Sequence, residues 1–528
     1  MPTGQYLCGM RHETVPPTPP DAAPALATSA GGAGVLAGGG PAAPPANAAV
    51  GLRALRLPRG RGLSLPRVIY GPTAGRVALA TLVVGMLGLV VFDASGSSVL
   101  VPRSEEVFPG WEAGPLNGVF GTLSASAHAI NYTVSALLIV MLVAYFVALA
   151  AVRTLSMRAI VLSVVALHVI LLLEPPFQLT DLFNYLGYAR LGALHGLNPY
   201  THVIGQEMHD PVFTFSNWSN LHSPYGELFT ALSYPLAWLP LPVAYWVVKV
   251  GTVLMSLGLI ALVWDCARRL GRDPRFAVAI VALNPVYFVY AVGGFHNDFF
   301  MLVPAIGAIA LLLARRDRAA GAALMLAVAV KFTAGLLLPF LLVGAATGRR
   351  RRKILVGAAL AAVPLVVLSV ALFGLSLPNL SQQGSLLTPF SIPNLFGYVI
   401  GAGGGTTFIL RVSDAALVVA IVVLLRRRGD WLNHAGWAMV ALLASLAWLM
   451  PWYVIWMLPL AGLAPSVRLR RAAGVLTVFV ALTFMPASST VFGWLNFVPT
   501  SGAAWQASQA VQTKLYSYHE QPSLAGTQ

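Results

Sequence analysis

The chain predicts an all-α, polytopic membrane fold, and three observations carry that prediction. Charged residues make up only 10% of its 528 residues and hydrophobic ones 57%, more apolar surface than one soluble core can hide. The apolar residues run in blocks close to the ~20 residues a helix needs to cross ~30 Å of hydrocarbon. The basic residues behind the formal charge of +15 fall in short clusters between those blocks, at Arg315 to Arg318, Arg349 to Lys353, Arg426 to Arg428 and Arg468 to Arg471. Such spacing marks cytoplasmic loops and not one patch for nucleic acid.

Taken in order, residues 1–70 are rich in Pro, Ala and Gly and end in RALRLPRGRGLSLPR. They bury too little to order themselves and read as a disordered cytoplasmic tail, its basic end suited to an anionic leaflet. No cleavable signal peptide is expected, because the first apolar stretch begins near Val77 and stays as an anchor. Spans are expected near 75–93, 132–152, 159–174, 242–264, 276–294, 299–314, 354–375, 408–425, 434–450, 454–466 and 472–487. The stretch 319–346 is flanked by RRDR and RRRRK, so it must enter and return within its own length. Each arm is then about 13 residues, ~20 Å of helix, which predicts a hairpin of two short helices with Lys331, Phe332 and Thr333 near the turn. Counting that hairpin twice gives about 13 helices, with the N-terminus inside, the C-terminus outside and every basic cluster cytoplasmic.

Residues 228–241 (LFTALSYPLAWLPL) are too short and Pro-broken to span and predict an interfacial helix. The organisation that follows is a tail at 1–70, a transmembrane region at 71–500 and a polar C-terminal tail at 501–528. Cys8 and Cys266 suggest neither a disulfide framework nor a metal site.

On this topology the outer face collects the polar residues. Asp181 follows Glu174-Pro175-Pro176 at the end of a span and opens a segment with Tyr185, Tyr188 and Arg190 at helical spacing. A carboxylate at that level can act as a base towards a hydroxyl; the plainer reading is a helix N-cap. Glu174 is a weaker candidate, since an acid before two prolines often only marks a membrane exit. His296-Asn297-Asp298 lies between two spans after Gly293-Gly294, a tight turn that also offers a pair for proton transfer or oxygen binding. No zinc spacing accompanies it, so no cofactor is implied, and a divalent cation between Asp181 and Asp298 stays open.

Lys331 stands among Ala, Leu, Val and Phe, where an unpaired cation is costly; a phosphate or an acid would satisfy it, and snorkelling is the alternative. Pro451-Trp452-Tyr453 with Trp456 reads first as an aromatic belt and second as rings for the apolar faces of sugars. Tyr200 in Asn198-Pro199-Tyr200 and Tyr225 in Ser223-Pro224-Tyr225-Gly226 sit in turn formers.

Together TDLFNYLGYARLGALHGLNPY, SPYGELF, NPVYFVYAVGGFHNDFFM, AVAVKFTAGLLLPFLL and MPWYVIWMLPL resemble the C-type (GT-C) membrane glycosyltransferases that use polyprenyl-phosphate sugars, over residues 130–490. The resemblance is closest to the polyprenol-phosphomannose-dependent α-1,6-mannosyltransferases of bacterial lipomannan synthesis. It implies a GT-C-like fold of about 13 helices, a multi-pass enzyme of the bacterial plasma membrane with an outward-facing site, and an early outer-loop acid acting as base, a role that falls on Asp181.

The expected reaction is inverting transfer of a sugar, mannose on this resemblance, from a polyprenyl-phosphate donor to a hydroxyl of a glycan or glycolipid acceptor. Lys331 and Arg190 are expected on the donor phosphate. Tyr185, Tyr188, Tyr200, Tyr225, His296, Asn297, Asp298, Trp452 and Tyr453 are expected on the substrates. DLFNY stands where a DxYxY-like pattern is expected, which leaves another sugar such as arabinose open. The rival class is a transporter or flippase of a lipid-linked sugar, against which stands the absence of two related halves in the sequence.

Overall fold

The computed structural model describes residues 70–94, 109–121, 125–175, 181–376, 378, 382 and 384–516. The expected tail lies outside these residues except for Tyr70, as do the last residues from 517 on. Among the described residues every regular element is helical. The main helices are α1 (Pro72–Ala94), α2 (Ala127–Ala151), α3 (Met157–Leu173), α4 (Asp181–Ala193), α5 (Leu241–Arg269), α6 (Pro274–Ala282), α7 (Asp298–Leu313), α8 (Asp317–Val330), α9 (Leu337–Gly344), α10 (Gly348–Phe373), α11 (Thr407–Arg426), α12 (Trp431–Ser445), α13 (Leu458–Leu463), α14 (Val467–Phe484) and α15 (Ala503–Leu515).

Five of them, α1, α2 with its 3-10 extension to Thr154, α5, α10 and α11, are long and apolar enough to cross a membrane, or up to seven spans if each bent pair counts as one. The expectation of about 13 crossing helices is therefore met only as an all-helical membrane bundle. Proline accounts for much of the difference. The expected span 276–294 breaks at Asn284-Pro285 into α6 and a π-helical turn, Val286–Val292, bent by 51°. Pro285 removes a backbone donor and pushes its predecessor out of helical geometry, and the Asn284 side chain caps the new start by accepting from the Val286 N–H at 2.9 Å. The expected span 454–466 is a 3-10 turn, Pro451–Trp456, followed by the short, fully buried α13. α14 ends and turns by 90° into Ser488–Trp494.

The hairpin at 319–346 forms as α8, a 3-10 turn (Phe332–Leu336) and α9, with Lys331 at the end of α8. α8 lies between α7 and α10. Its contact with α10 is backbone on backbone: a Cβ on Gly321 would overlap the Ile354 carbonyl, and one on Gly357 the Arg318 carbonyl. Small residues let helices approach this closely in lipid, where no hydrophobic driving force draws them together. The expected interfacial segment is a helix, Glu227–Ser233, running into a 3-10 turn, Tyr234–Trp238, before Pro240 starts α5. The region after 500, expected as a polar tail, holds α15, whose Trp505, Ser508, Gln512 and Leu515 are buried.

Helix polarity sets where function can sit. α7 starts and α8 ends at one end of the bundle, which also receives the turn at 293–297 and the start of α4. The basic runs at 315–318 and 349–353 lie at the opposite ends of those helices.

Candidate active site

Four chain segments meet at that end, and each is held there by local structure. α4 begins with Asp181 and buries its Leu182 to Leu191 face almost completely. The π-helical turn delivers Gly293 to Asn297, in which Phe295 takes φ of 48°. A left-handed conformation costs a side-chain-bearing residue roughly 1–2 kcal/mol, so packing must enforce it. The hairpin delivers Lys331. The 3-10 turn at Pro451–Trp456, packed on the π-helical turn, delivers the aromatic rings.

These segments pair their polar groups in two sets. Asp181 Oδ2 lies 3.1 Å from His296 Nδ1, and the His296 ring stacks on Trp452 with centroids 3.7 Å apart. An ionised Asp181 places a proton on Nδ1, which leaves Nε2 as the acceptor nitrogen, buried and without a hydrogen-bond partner. The Asp181 side chain keeps 20% of its surface exposed. In the second set Asp298 Oδ1 accepts from Lys331 Nζ at 2.8 Å and from Trp456 Nε1 at 2.6 Å. Asp298 is 1% exposed and opens α7, where the helix dipole favours an anion. Lys331 also lies 5.0 Å from the ring centroids of both Tyr453 and Trp456, which stack on each other. The ammonium is thus neutralised by an acid and faced by two aromatic rings.

The tyrosines tie the sets together. The Asn297 N–H donates to the Tyr185 hydroxyl at 3.0 Å. Burial, then the neighbouring charge of Asp181, pushes the Tyr185, Tyr188 and Tyr225 phenols well above the usual value, so they remain hydrogen-bond donors. Tyr225 packs edge-on against Tyr185 at 4.8 Å. It reaches the site because the Gly226 N–H donates to the Val330 carbonyl, an approach that a Cβ at Gly226 would block. Tyr200 sits behind, donating to the Tyr225 carbonyl and to Thr230.

Among the expected site residues, Asp181, Tyr185, Tyr188, Tyr225, His296, Asn297, Asp298, Lys331, Trp452 and Tyr453 therefore come together, and Tyr200 supports them. Arg190, expected on the donor phosphate, is engaged elsewhere. Its Nε donates to both oxygens of Asp210, at 2.8 and 3.0 Å, and Nη1 to the Ala237 carbonyl. Burial alone would raise the Asp210 carboxyl; hydrogen bonds from Arg190 and His195 outweigh it and hold the group below its usual value. Asp181 and Asp298, considered as joint ligands of a cation, are instead committed separately to His296 and Lys331. Among the described residues no three His, Cys, Asp or Glu side chains gather as metal ligands.

Several buried charges escaped the reading of the sequence, Asp93, Glu112, Asp210 and Lys249 among them. Lys249 in α5 is 0% exposed. A lone cation inside an apolar block is the same signal that singled out Lys331.

Fold and site define an all-helical membrane protein with paired acids, a lysine and an aromatic wall at one end of its bundle. Residues 82–347 match the family described as "Alpha-(1->6)-mannopyranosyltransferase, N-terminal domain", and residues 395–512 match the "MptB C-terminal domain". The chain is 30% identical over 401 residues to alpha-(1->6)-mannopyranosyltransferase A of Mycobacterium tuberculosis, covering 68% of this chain and 74% of that protein. It is 25% identical over 396 residues to alpha-(1->6)-mannopyranosyltransferase A of Corynebacterium glutamicum, covering 66% of this chain and 79% of that protein. To alpha-(1->6)-mannopyranosyltransferase B of the same organism it is 26% identical over 366 residues, 60% of each chain. The chain belongs to the alpha-(1->6)-mannopyranosyltransferase family and is a membrane mannosyltransferase, with a sugar donor and a glycan acceptor. No solved structure matches it.

Proposed function

We propose that the protein transfers mannose from a polyprenyl-phosphate donor to a glycan hydroxyl at the outer face of the bacterial plasma membrane, with inversion and with Asp181 as general base. The observation that carries this reading is the Asp181 carboxylate, held on one side by His296 and partly exposed on the other, at the end of the bundle where Lys331 pairs with Asp298. The acceptor oxygen attacks the anomeric carbon as the bond from that carbon to the phosphate oxygen breaks. Its proton passes to Asp181, and the electron pair leaves with the polyprenyl phosphate. Lys331 faces the charge gained by the phosphate, and His296 keeps the base oriented. Inversion to an α-(1→6) product requires a β-configured donor. Tyr225 and Tyr453, both partly exposed, offer rings and hydroxyls to the sugars. The donor's chain lies in the bilayer and its head at the interface, the level at which the hairpin turn presents Lys331. The basic clusters at the other end of α7 and α8 favour a cytoplasmic position for that end, which leaves the site outside.

The test is incubation of purified protein in detergent with a panel of polyprenyl-phosphate sugars, mannosyl and arabinosyl among them, and a manno-oligosaccharide acceptor. NMR of the product is expected to show a new α-(1→6) mannosyl linkage from the β-mannosyl phosphate lipid. Product from the arabinosyl donor alone would replace the sugar. No product from any donor, with transport of a lipid-linked sugar in sealed vesicles, would favour the transporter reading.

A further inference from the structure

Directly behind the site, α5 carries the fully buried Lys249. Its ammonium donates to the backbone carbonyl of Glu174 at 2.7 Å. It lies 4.8 Å from the Trp246 ring centroid and 5.2 Å from that of Phe295. Phe295 belongs to the turn that delivers His296, which it immediately precedes, and Glu174 ends α3, which precedes α4 in the chain.

Both contacts act where the backbone needs support. Phe295 occupies the left-handed region, a conformation that a bulky residue keeps only when its surroundings enforce it, and its ring is 0% exposed against the ammonium. Glu174 caps the end of α3 in extended geometry, and the Leu116 N–H donates to the neighbouring Leu173 carbonyl at 3.2 Å. Two residues beside Lys249 on α5 add parallel ties: Tyr245 donates to the Glu112 carbonyl and Trp246 to the Trp111 carbonyl, at 3.3 and 2.9 Å. The Glu174 carboxyl is buried with neither oxygen hydrogen-bonded; burial raises it well above the usual carboxylate range, and the charge of Lys249 opposes that shift without overcoming it. A plain packing role needs no ammonium here, since a Met of similar length fills the same volume. What the charge adds is a bond to one segment and a cation–π contact to the other.

We propose that Lys249 is a positioning residue for mannosyl transfer: by tying the Phe295 ring to the end of α3 through one ammonium, it fixes His296 at hydrogen-bonding distance from Asp181. This rests on the reading of Asp181 as the base. Lys249 does not touch the substrates; it acts through the two segments.

The experiment compares full-length wild-type protein with Lys249→Met and Lys249→Arg in nanodiscs, by transfer kinetics and by hydrogen exchange. Misplacement of reacting groups by ~1 Å costs about 10²-fold, so Lys249→Met is expected to lower kcat by about that factor. The donor KM should stay within about twofold, because Lys331 is untouched. Lys249→Arg, which keeps charge and donors, should recover most of kcat. In Lys249→Met, peptides spanning 171–185 and 291–299 should exchange faster while those of α11 exchange as in the wild type. Wild-type kcat with wild-type exchange in a folded Lys249→Met protein overturns the proposal, and so does faster exchange spread evenly along the chain. If Lys249→Met does not purify as a single species, Lys249→Gln takes its place, with the same readouts. A wild-type protein that transfers no mannose refutes the functional reading, while the exchange comparison still decides whether Lys249 holds the two segments.

Discussion

Asp181 and Asp298 are carboxylates at the same end of one bundle, and their surroundings give them different work. Asp298 is 1% exposed and gives one oxygen to both Lys331 and the Trp456 N–H. Asp181 is 20% exposed and is held through one oxygen by His296. A carboxylate that already neutralises a lysine cannot accept a proton without leaving that lysine without its counter-charge. One oriented by a histidine, with surface still open, can. On the proposed mechanism the less buried acid is the one that takes the acceptor proton, and the more buried one holds the lysine and the aromatic wall in place.

The largest effect on stability should come from breaking the buried set. Asp298→Ala leaves the partly exposed Lys331 without its counter-charge and Trp456 without its acceptor, and each lost hydrogen bond to a charged group is worth about 1.5–3 kcal/mol. The expected outcome is a clear fall in the thermal unfolding midpoint in detergent, with Asp181→Ala near the wild type; equal falls would erase the contrast between the acids. Trp456→Phe sharpens it further. The ring still stacks on Tyr453 while the 2.6 Å hydrogen bond to Asp298 is lost, an interaction with a charged group worth about 1.5 kcal/mol. An unchanged midpoint in Trp456→Phe would show that Lys331 alone secures Asp298.

The smallest effect lies outside the site. Asp210 has its folded value held below the usual 3.8 by Arg190 and His195 against the cost of burial. Its contribution to stability is therefore fully present above the unfolded value and is lost as pH falls through the folded one. Wild-type protein should lose more stability between about pH 5 and pH 3 than Asp210→Asn does. Identical profiles would mean that Arg190 gains nothing from this pairing.

The sequence made the polar members of the site legible because each interrupts an apolar run: Asp181 after a span, His296 to Asp298 between two, Lys331 within a hairpin, Trp452 and Tyr453 before α13. It did not disclose which of them pair. The Asp298–Lys331 contact depends on how α7 and α8 pack, and Tyr225 joins the group only because Gly226 sits on the Val330 carbonyl. Arg190 looked available because its partner Asp210, in a loop, resembles any other surface acid in sequence. The hairpin follows from the charges flanking it, whereas the count of about 13 spans is not matched by long helices where Pro285, Pro451 and Pro459 break apolar runs. Lys249 carries the same signal as Lys331, but no other charged residue stands near it in the chain.

The measurement that bears most directly on the division of work between the acids is single-turnover mannosyl transfer by folded Asp181→Asn protein, with donor affinity read in parallel. Asn keeps the size of Asp and caps a helix about as well, yet it cannot take the acceptor proton. The account predicts unchanged donor affinity and a rate lower by about 10²- to 10⁴-fold. A near wild-type rate from well-folded Asp181→Asn protein would contradict it and leave Asp181 as a structural partner of His296 at the start of α4.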